Sequence, residues 1–264
     1  MEKYTASFER LVNIMDELRE KCPWDKKQTL ESLRHLTIEE TYELSEAIMD
    51  GDMNKIRNEL GDLLLHIVFY SRIANEQNAF TLKEMIDGLS EKLIKRHPHI
   101  YGDVIAETAE DVKHNWEKIK LSEKDKEGNA VNKTVLEGVP KSLPAMIKAW
   151  RIQEKARGAG FDWEQPQQVF EKVKEELGEL HTEITSGKNV SRIEEEFGDF
   201  LFALINYARF INVNPEDALE KTNRKFINRF NYMEGKIRES GKYLSDLALA
   251  EMDVYWNEAK EKGL

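Results

Sequence analysis

Two clusters of acidic residues carry the chemistry available to this sequence. Glu175-Glu176-Leu177-Gly178-Glu179 is followed, after sixteen residues, by Glu196-Phe197-Gly198-Asp199. Glu176 and Glu179, like Glu196 and Asp199, stand three positions apart, which on a helix puts them on neighbouring turns of one face with Cβ atoms about 5–6 Å apart. Gly187-Lys188-Asn189 between the clusters can reverse the chain. Two antiparallel helices joined there would bring four carboxylates toward one point, and converging anions need a counter-ion. Oxygen donors without cysteine, with His181 as the only nearby imidazole, favour Mg²⁺, or Mn²⁺ in its place, over Zn²⁺.

The pattern occurs twice. Glu39-Glu40-Thr41-Tyr42-Glu43 matches residues 175–179 at an offset of 136, and Glu59-Leu60-Gly61-Asp62 matches residues 196–199 at 137. Tyr70 and Arg72 match Tyr207 and Arg209 at 137, Lys92 and Arg96 match Lys225 and Arg229 at 133, and Trp116 matches Trp256 at 140. Differences that small belong in loops, so the chain reads as a tandem duplication of one helical module. A single E-x-x-E pair on a helix is ordinarily a solvated face. Acids that recur in both copies amid different neighbours are poorly explained that way, and Glu40, Glu43, Glu59 and Asp62, with Lys92 and Arg96, form a second candidate site.

The elements that must position these groups are helices. Phe8, Leu11, Val12, Met15 and Leu18 follow the 3–4 spacing of a buried face, and Pro23 closes that segment. Thr29 can cap a second helix, Gly51-Asp52 ends it, a third runs from about Met53 to Asn75, and Thr81 opens a fourth that stops before Pro98. Residues 109–121 read as a short helix containing Trp116. Residues 122–140 lose the apolar period and read as a linker between an N-terminal module, 1–121, and a C-terminal module, 141–264. There the pattern resumes from Leu143 to Lys155, breaks at Arg157-Gly158-Ala159-Gly160, and continues from Pro166 with turns near Gly187, Asn214-Pro215 and Ser240-Gly241. The stripe Val169, Phe170, Val173, Leu177, Leu180 and Ile184 marks the expected core side, with Glu176 and Glu179 flanking it. No stretch alternates long enough to demand a strand, so the fold is expected to be all-α.

Composition agrees and narrows the partners. Gly (14) and Pro (6) are scarce in 264 residues and charged residues make up 34%, which suits long amphipathic helices. The net charge of −11 offers no basic stripe for a nucleic-acid backbone. Apolar runs such as Phe200–Ile205 are too short to span a bilayer, the charged N-terminus lacks the apolar core of a signal peptide, and the lone Cys22 suits a reducing compartment, so a cytoplasmic protein is expected. An acidic protein can still bind a small phosphorylated ligand where a metal and a few cations reverse the field. Lys225 and Arg229, spaced i, i+4, can grip phosphate oxygens, the arginine bidentately. Walker and dinucleotide-binding loops are missing. So is the E-x-x-H of a di-iron bundle, because positions 179 and 199 are Glu and Asp, which points to redox-silent Mg²⁺.

The duplicated E-E-x-x-E and E-x-G-D clusters, with Cys22-Pro23-Trp24-Asp25, Arg96-His97-Pro98-His99, Gly160-Phe161-Asp162-Trp163 and Lys225-Phe226-Ile227-Asn228-Arg229, resemble the MazG family of the all-α NTP pyrophosphatase superfamily. The resemblance spans nearly the whole chain. It implies hydrolysis of nucleoside triphosphates to the monophosphate and pyrophosphate with Mg²⁺, broad base tolerance and a homodimer of helical bundles. It also implies metal ligation by Glu176, Glu179, Glu196 and Asp199, and phosphate and base contacts by Lys225, Phe226, Arg229 and Trp256, with the C-terminal module catalytic. On this reading the metal ions place a water in line with the α–β bridge, and Lys225 and Arg229 stabilise the departing pyrophosphate. Glu175 is a candidate proton acceptor, although one helix position rotates it about 100° from its neighbour. The rival expectation is a regulatory module that binds a nucleotide or alarmone at the same sites without turnover.

Overall fold

The computed structural model describes residues 2–108, 111–112, 115–116, 119, 134–187 and 189–264. Among them there is no strand, and no helix is long and apolar enough to cross a membrane. The chain divides into two compact units, the first ending at Glu107 and the second beginning at Thr108. The linker expected over 122–140 and the helix expected over 109–121 lie mostly outside the described residues. Residues 134–140 are described, and they do more than connect: the Val135 carbonyl accepts a hydrogen bond from Lys155 Nζ at 3.3 Å.

The first unit comprises α1 (Glu2–Lys21), a 3₁₀ turn at Asp25–Lys27, α2 (Leu30–Asp50), α3 (Met53–Glu76), α4 (Leu82–Arg96) and the single turn α5 (Pro98–Tyr101). Capping fixes the boundaries. Thr29 and Ser32 form a reciprocal capping box on α2, Asp52 accepts from the N–H groups of Asn54 and Lys55 at the start of α3, and Thr81 with Glu84 caps α4. Gly51 ends α2 at φ 68°, a left-handed conformation that a β-carbon would strain, and so lets α3 turn back on α2 within two residues. Met15, Leu33, Val68, Phe69 and Ile73 form the core where α1, α2 and α3 meet.

The second unit repeats the plan with α6 (Ala145–Gly158), α7 (Pro166–Ser186), α8 (Val190–Phe210), α9 (Pro215–Glu239), a 3₁₀ turn at Leu244–Asp246 and α10 (Leu249–Glu261). Gly187, φ 65°, ends α7 as Gly51 ends α2, and Asn189 caps α8. The tightest packing is between α7 and α8, the pair that carries the acids, while α6 covers α8 and α9 pairs with α10. One sequence expectation is corrected. The buried positions of α7 are Val169, Val173, Glu176 and Leu180, whereas Leu177 is 50% exposed and Ile184 is exposed as well. The inner stripe follows the spacing 4, 3, 4 and takes Glu176 into the interface with α8. Leu177 and Ile184 belong to a second apolar stripe facing outward.

Candidate metal and nucleotide site

Helix α7 enters its first turn at Pro166 and α8 leaves its cap at Asn189, and their antiparallel packing sets the third turn of α7 against the second and third turns of α8. One carboxylate oxygen from each of Glu176, Glu196 and Asp199 lies within 4.8 Å of the other two. Glu176 and Glu196 are only 7% and 6% exposed, and Asp199 faces solvent. Burial lifts the Glu196 carboxyl above its ordinary range; Arg192 opposes that, and the negative charges of Glu179, Asp199 and Glu195 add to it. Glu179 thus stands near enough to act on Glu196 without joining the three converging oxygens.

Two cations answer this charge within the chain. Lys172 Nζ reaches Glu176 at 2.7 Å and Glu175 at 2.7 Å, and Arg192 donates to Glu196 at 2.8 Å and to Glu195 at 2.7 Å. The hydrogen bonds to Glu175 and Glu176 hold the Lys172 ammonium well above its usual range. Glu175 itself is exposed and turned toward Lys172, outside the converging set, as its rotation on the helix requires. Lys172 and Arg192 escaped the sequence reading, although each stands four positions before a buried glutamate, the spacing of an intrahelical ion pair.

Beside the acids is a cavity of about 560 Å³, which Glu176, Asp199 and Lys172 line on one side. Its other walls are largely apolar, including Phe161, Trp163 and Phe202, with Gln153, Asn206 and Arg209 as polar groups. Volume, apolar walls and a few convergent polar atoms are the features of a small-molecule site. Arg209 is buried, and its two terminal nitrogens donate to the two oxygens of Asp162, one bond measuring 2.9 Å. Asn206 Oδ1 also accepts from Arg209, at 3.1 and 2.9 Å. The recurrence of Arg72 and Arg209 in the two copies was the sequence signal for this pair, whereas nothing in the sequence singled out Gln153 or Asn206.

The remaining predicted contacts gather elsewhere in the unit. Phe226 lies against Trp256 with ring centroids 5.0 Å apart and against Phe230 at 6.2 Å, joining α9 to α10. Arg229 Nε donates to the Leu264 carbonyl at 2.6 Å, and Lys225 is exposed. Among the described residues, no hydrogen bond, ion pair or ring contact links Lys225, Phe226, Arg229 or Trp256 to the acids.

In the first unit the converging trio differs. Glu40, Glu43 and Glu59 place oxygens within 4.8 Å of one another, with Asp62 outside the trio. Burial, followed by the charges of Asp62, Glu43, Glu59 and Glu39, raises the Glu40 carboxyl. Lys92 is exposed and Arg96 half-buried on α4.

Comparison with known proteins agrees with this duplicated plan. The family model described as the MazG nucleotide pyrophosphohydrolase domain matches twice, over residues 28–101 and 164–233. The chain is 46% identical over 255 residues to a Thermotoga maritima protein named nucleoside triphosphate pyrophosphohydrolase/pyrophosphatase MazG, covering 96% of this chain and 95% of that one. It is 38% identical over 259 residues to the Escherichia coli (strain K12) nucleoside triphosphate pyrophosphohydrolase, covering 97% of each. It is also 45% identical over 256 residues to the uncharacterized protein YabN of Bacillus subtilis, of which it covers 52%. Two helical units that each converge three carboxylates, matched twice by one family model and nearly end to end by such relatives, place this chain in the MazG nucleotide pyrophosphohydrolase family.

Proposed function

We propose that the second unit hydrolyses nucleoside triphosphates to the monophosphate and pyrophosphate, with Mg²⁺ held by Glu176, Glu196 and Asp199 and with Glu179 close by. The observation that carries this reading is the sharing of Glu176 and Asp199 between the carboxylate trio and the largely apolar cavity. That arrangement seats a nucleoside directly beside a place for its phosphates. The donor set fits the cation: three carboxylates, no sulfur and no imidazole, with a glutamate whose proton affinity is raised first by burial and then by the acids around it. A divalent cation bound there supplies charge neutralisation of the phosphates and a bound water of lowered pKa.

The chain's own residues do the rest. Lys172 and Arg192 pair with Glu176 and Glu196 in the structure as it stands, and Lys172, which also lines the cavity, is proposed to meet phosphate oxygens. Phe161, Trp163 and Phe202 offer rings to a base with little hydrogen-bond discrimination, which supports broad base tolerance. Lys225 and Arg229 are assigned to the pyrophosphate by the family resemblance, on a helix that packs against α6 and α8. A homodimer is part of the proposal, because Leu177, Ile184, Leu201 and Leu204 leave apolar faces of the site helices in solvent.

The test is product analysis with the full chain, Mg²⁺ and a panel of nucleoside triphosphates. Monophosphate and pyrophosphate in equal amounts, abolished by chelation, are expected. Orthophosphate release would show cleavage at the γ position, and saturable binding without turnover would show a regulatory module instead.

A further inference from the structure

One residue of the cavity wall carries a buried polar atom with an unmet requirement. Gln153, on α6, is 6% exposed, and its Nε2 donates to the Phe202 carbonyl on α8 at 2.8 Å. A carbonyl can only accept, so this bond fixes which end of the amide is which. The side chain's oxygen is therefore the free end. Among the described residues, Oε1 is buried and has no hydrogen-bond partner, although Gln153 lines the cavity. Buried polar atoms are almost always paired, and an unpaired one in a ligand site marks a partner that arrives with the ligand.

The first unit shows why this acceptor is spare. At the 137-residue offset that relates α3 to α8, and equally the last residues of α1 and α6, the equivalent of Gln153 is Asp16. Asp16 forms an ion pair with Arg72 at 2.7 Å. In the second unit the equivalent arginine, Arg209, is occupied by Asp162 and Asn206, so position 153 receives nothing from it.

We propose that Gln153 is a specificity-determining residue whose Oε1 accepts a hydrogen bond from the nucleoside, either from an exocyclic amine of the base or from a ribose hydroxyl. The proposal rests on the reading of this unit as a triphosphate-hydrolysing site. It adds a graded preference to a cleft whose aromatic walls discriminate little. A substrate lacking the donor leaves a buried acceptor unpaired in the complex, so discrimination is expected to be about 10-fold or more.

The experiment compares kcat/KM for ATP, 2′-deoxy-ATP, 3′-deoxy-ATP and purine riboside triphosphate, which lacks the 6-amino group, using the full-length protein and its Gln153→Leu variant. A loss of about 10-fold or more for one analogue, shrinking to within about twofold in the variant, is expected. The analogue affected tells whether the donor is the amine or a hydroxyl. If all three analogues stay within about threefold of ATP with the wild-type protein, the proposal is overturned. It is equally overturned if Gln153→Leu lowers all four substrates by one factor and leaves the analogue penalty intact, the signature of a merely structural contact between α6 and α8. Should Gln153→Leu fail to fold, Gln153→Asn, which withdraws the amide by one methylene, is judged by the same criteria, and the wild-type comparison stands without any variant. Absence of pyrophosphate release from ATP would instead remove the underlying reading. Calorimetric binding of adenosine and its 2′- and 3′-deoxy and 6-desamino analogues then decides the role of Gln153 separately, with a comparable penalty in Kd supporting it and equal affinities overturning it.

Discussion

The two units keep the same four acids and differ in what stands beside them. In the second, Glu176 and Glu196 are held by Lys172 and Arg192, and a cavity opens next to them. In the first, Leu36 stands where Lys172 does, and among the described residues no lysine or arginine pairs with Glu40 or Glu59. Part of the equivalent space is filled, while Met15, Asp16 and Arg72, the counterparts of Ile152, Gln153 and Arg209, line a smaller cavity of about 210 Å³. His66 replaces Ala203 and Phe69 replaces Asn206, both buried, and Arg19 replaces Ala156 with its guanidinium 5.7 Å from the Phe69 ring. Phe69 there joins the core cluster of Met15, Leu33, Val68 and Ile73. Among the described residues, the larger cavity, lined in part by members of a carboxylate trio, belongs to the second unit.

The sharpest challenge to that contrast is paired substitution of the acids. Glu196→Gln is expected to lower pyrophosphate release by about 10³-fold, because it removes a buried oxygen donor from the cation site. Glu59→Gln, its counterpart in the first unit, should leave the rate within about twofold. Circular dichroism should show both variants folded, and a comparable loss in both would erase the distinction between the units. A smaller effect is expected from importing the first unit's filler into the second. Ala203→His should raise KM for every triphosphate, with kcat/KM falling about 10- to 100-fold as the added ring crowds the cleft. Unchanged kinetics would detach the cavity from the reaction.

The smallest effect concerns pH. Glu40 and Glu196 both hold their protons more tightly folded than unfolded, so the folded chain binds more protons in the window above the ordinary glutamate value of 4.5. The contribution of these two groups to the stability of the chelated protein is therefore fullest below that window and is lost as pH rises through the raised folded values, while His66, whose imidazole burial pushes down, contributes in the opposite sense. Urea titrations across that range should show a falling midpoint, and Mg²⁺ should flatten the fall. In Glu40→Gln, the share of the slope that Mg²⁺ does not remove should shrink. A slope left unchanged in Glu40→Gln would contradict the crowding of carboxylates around Glu40.

Much of this was legible in advance because it depends on local rules. Thr29, Asp52, Thr81 and Asn189 announce helix starts through side-chain oxygens that satisfy free N–H groups, and Gly51 and Gly187 announce stops. The acids were legible through their repetition. The depth of Glu176 was not, because a wheel drawn on apolar residues alone cannot tell an inner stripe from an outer one when both are apolar. Gln153, Asp162, Asn206 and Arg209 were illegible as a set, since they come from three separate segments and only tertiary packing assembles them. The same limit explains Lys225, Arg229 and Trp256. Sequence matching gives such residues a role, but the distance to the acids is a property of how α9 and α10 dock.

Leu136, on the stretch ahead of α6, lines the cleft together with Gln153, Ala156, Phe161 and Trp163. All five precede the helix on which the first acid lies. One wall of the cleft is therefore a block of chain that precedes the acids, while Phe202, Ala203, Asn206 and Arg209 supply the other wall from the helix that carries Glu196 and Asp199. A chimera that keeps everything from Pro166 onward and takes residues 134–163 from a relative should retain the same bond cleavage while its nucleotide preference shifts toward the donor's. Recombination within this family can in that way diversify substrate choice without disturbing the carboxylates.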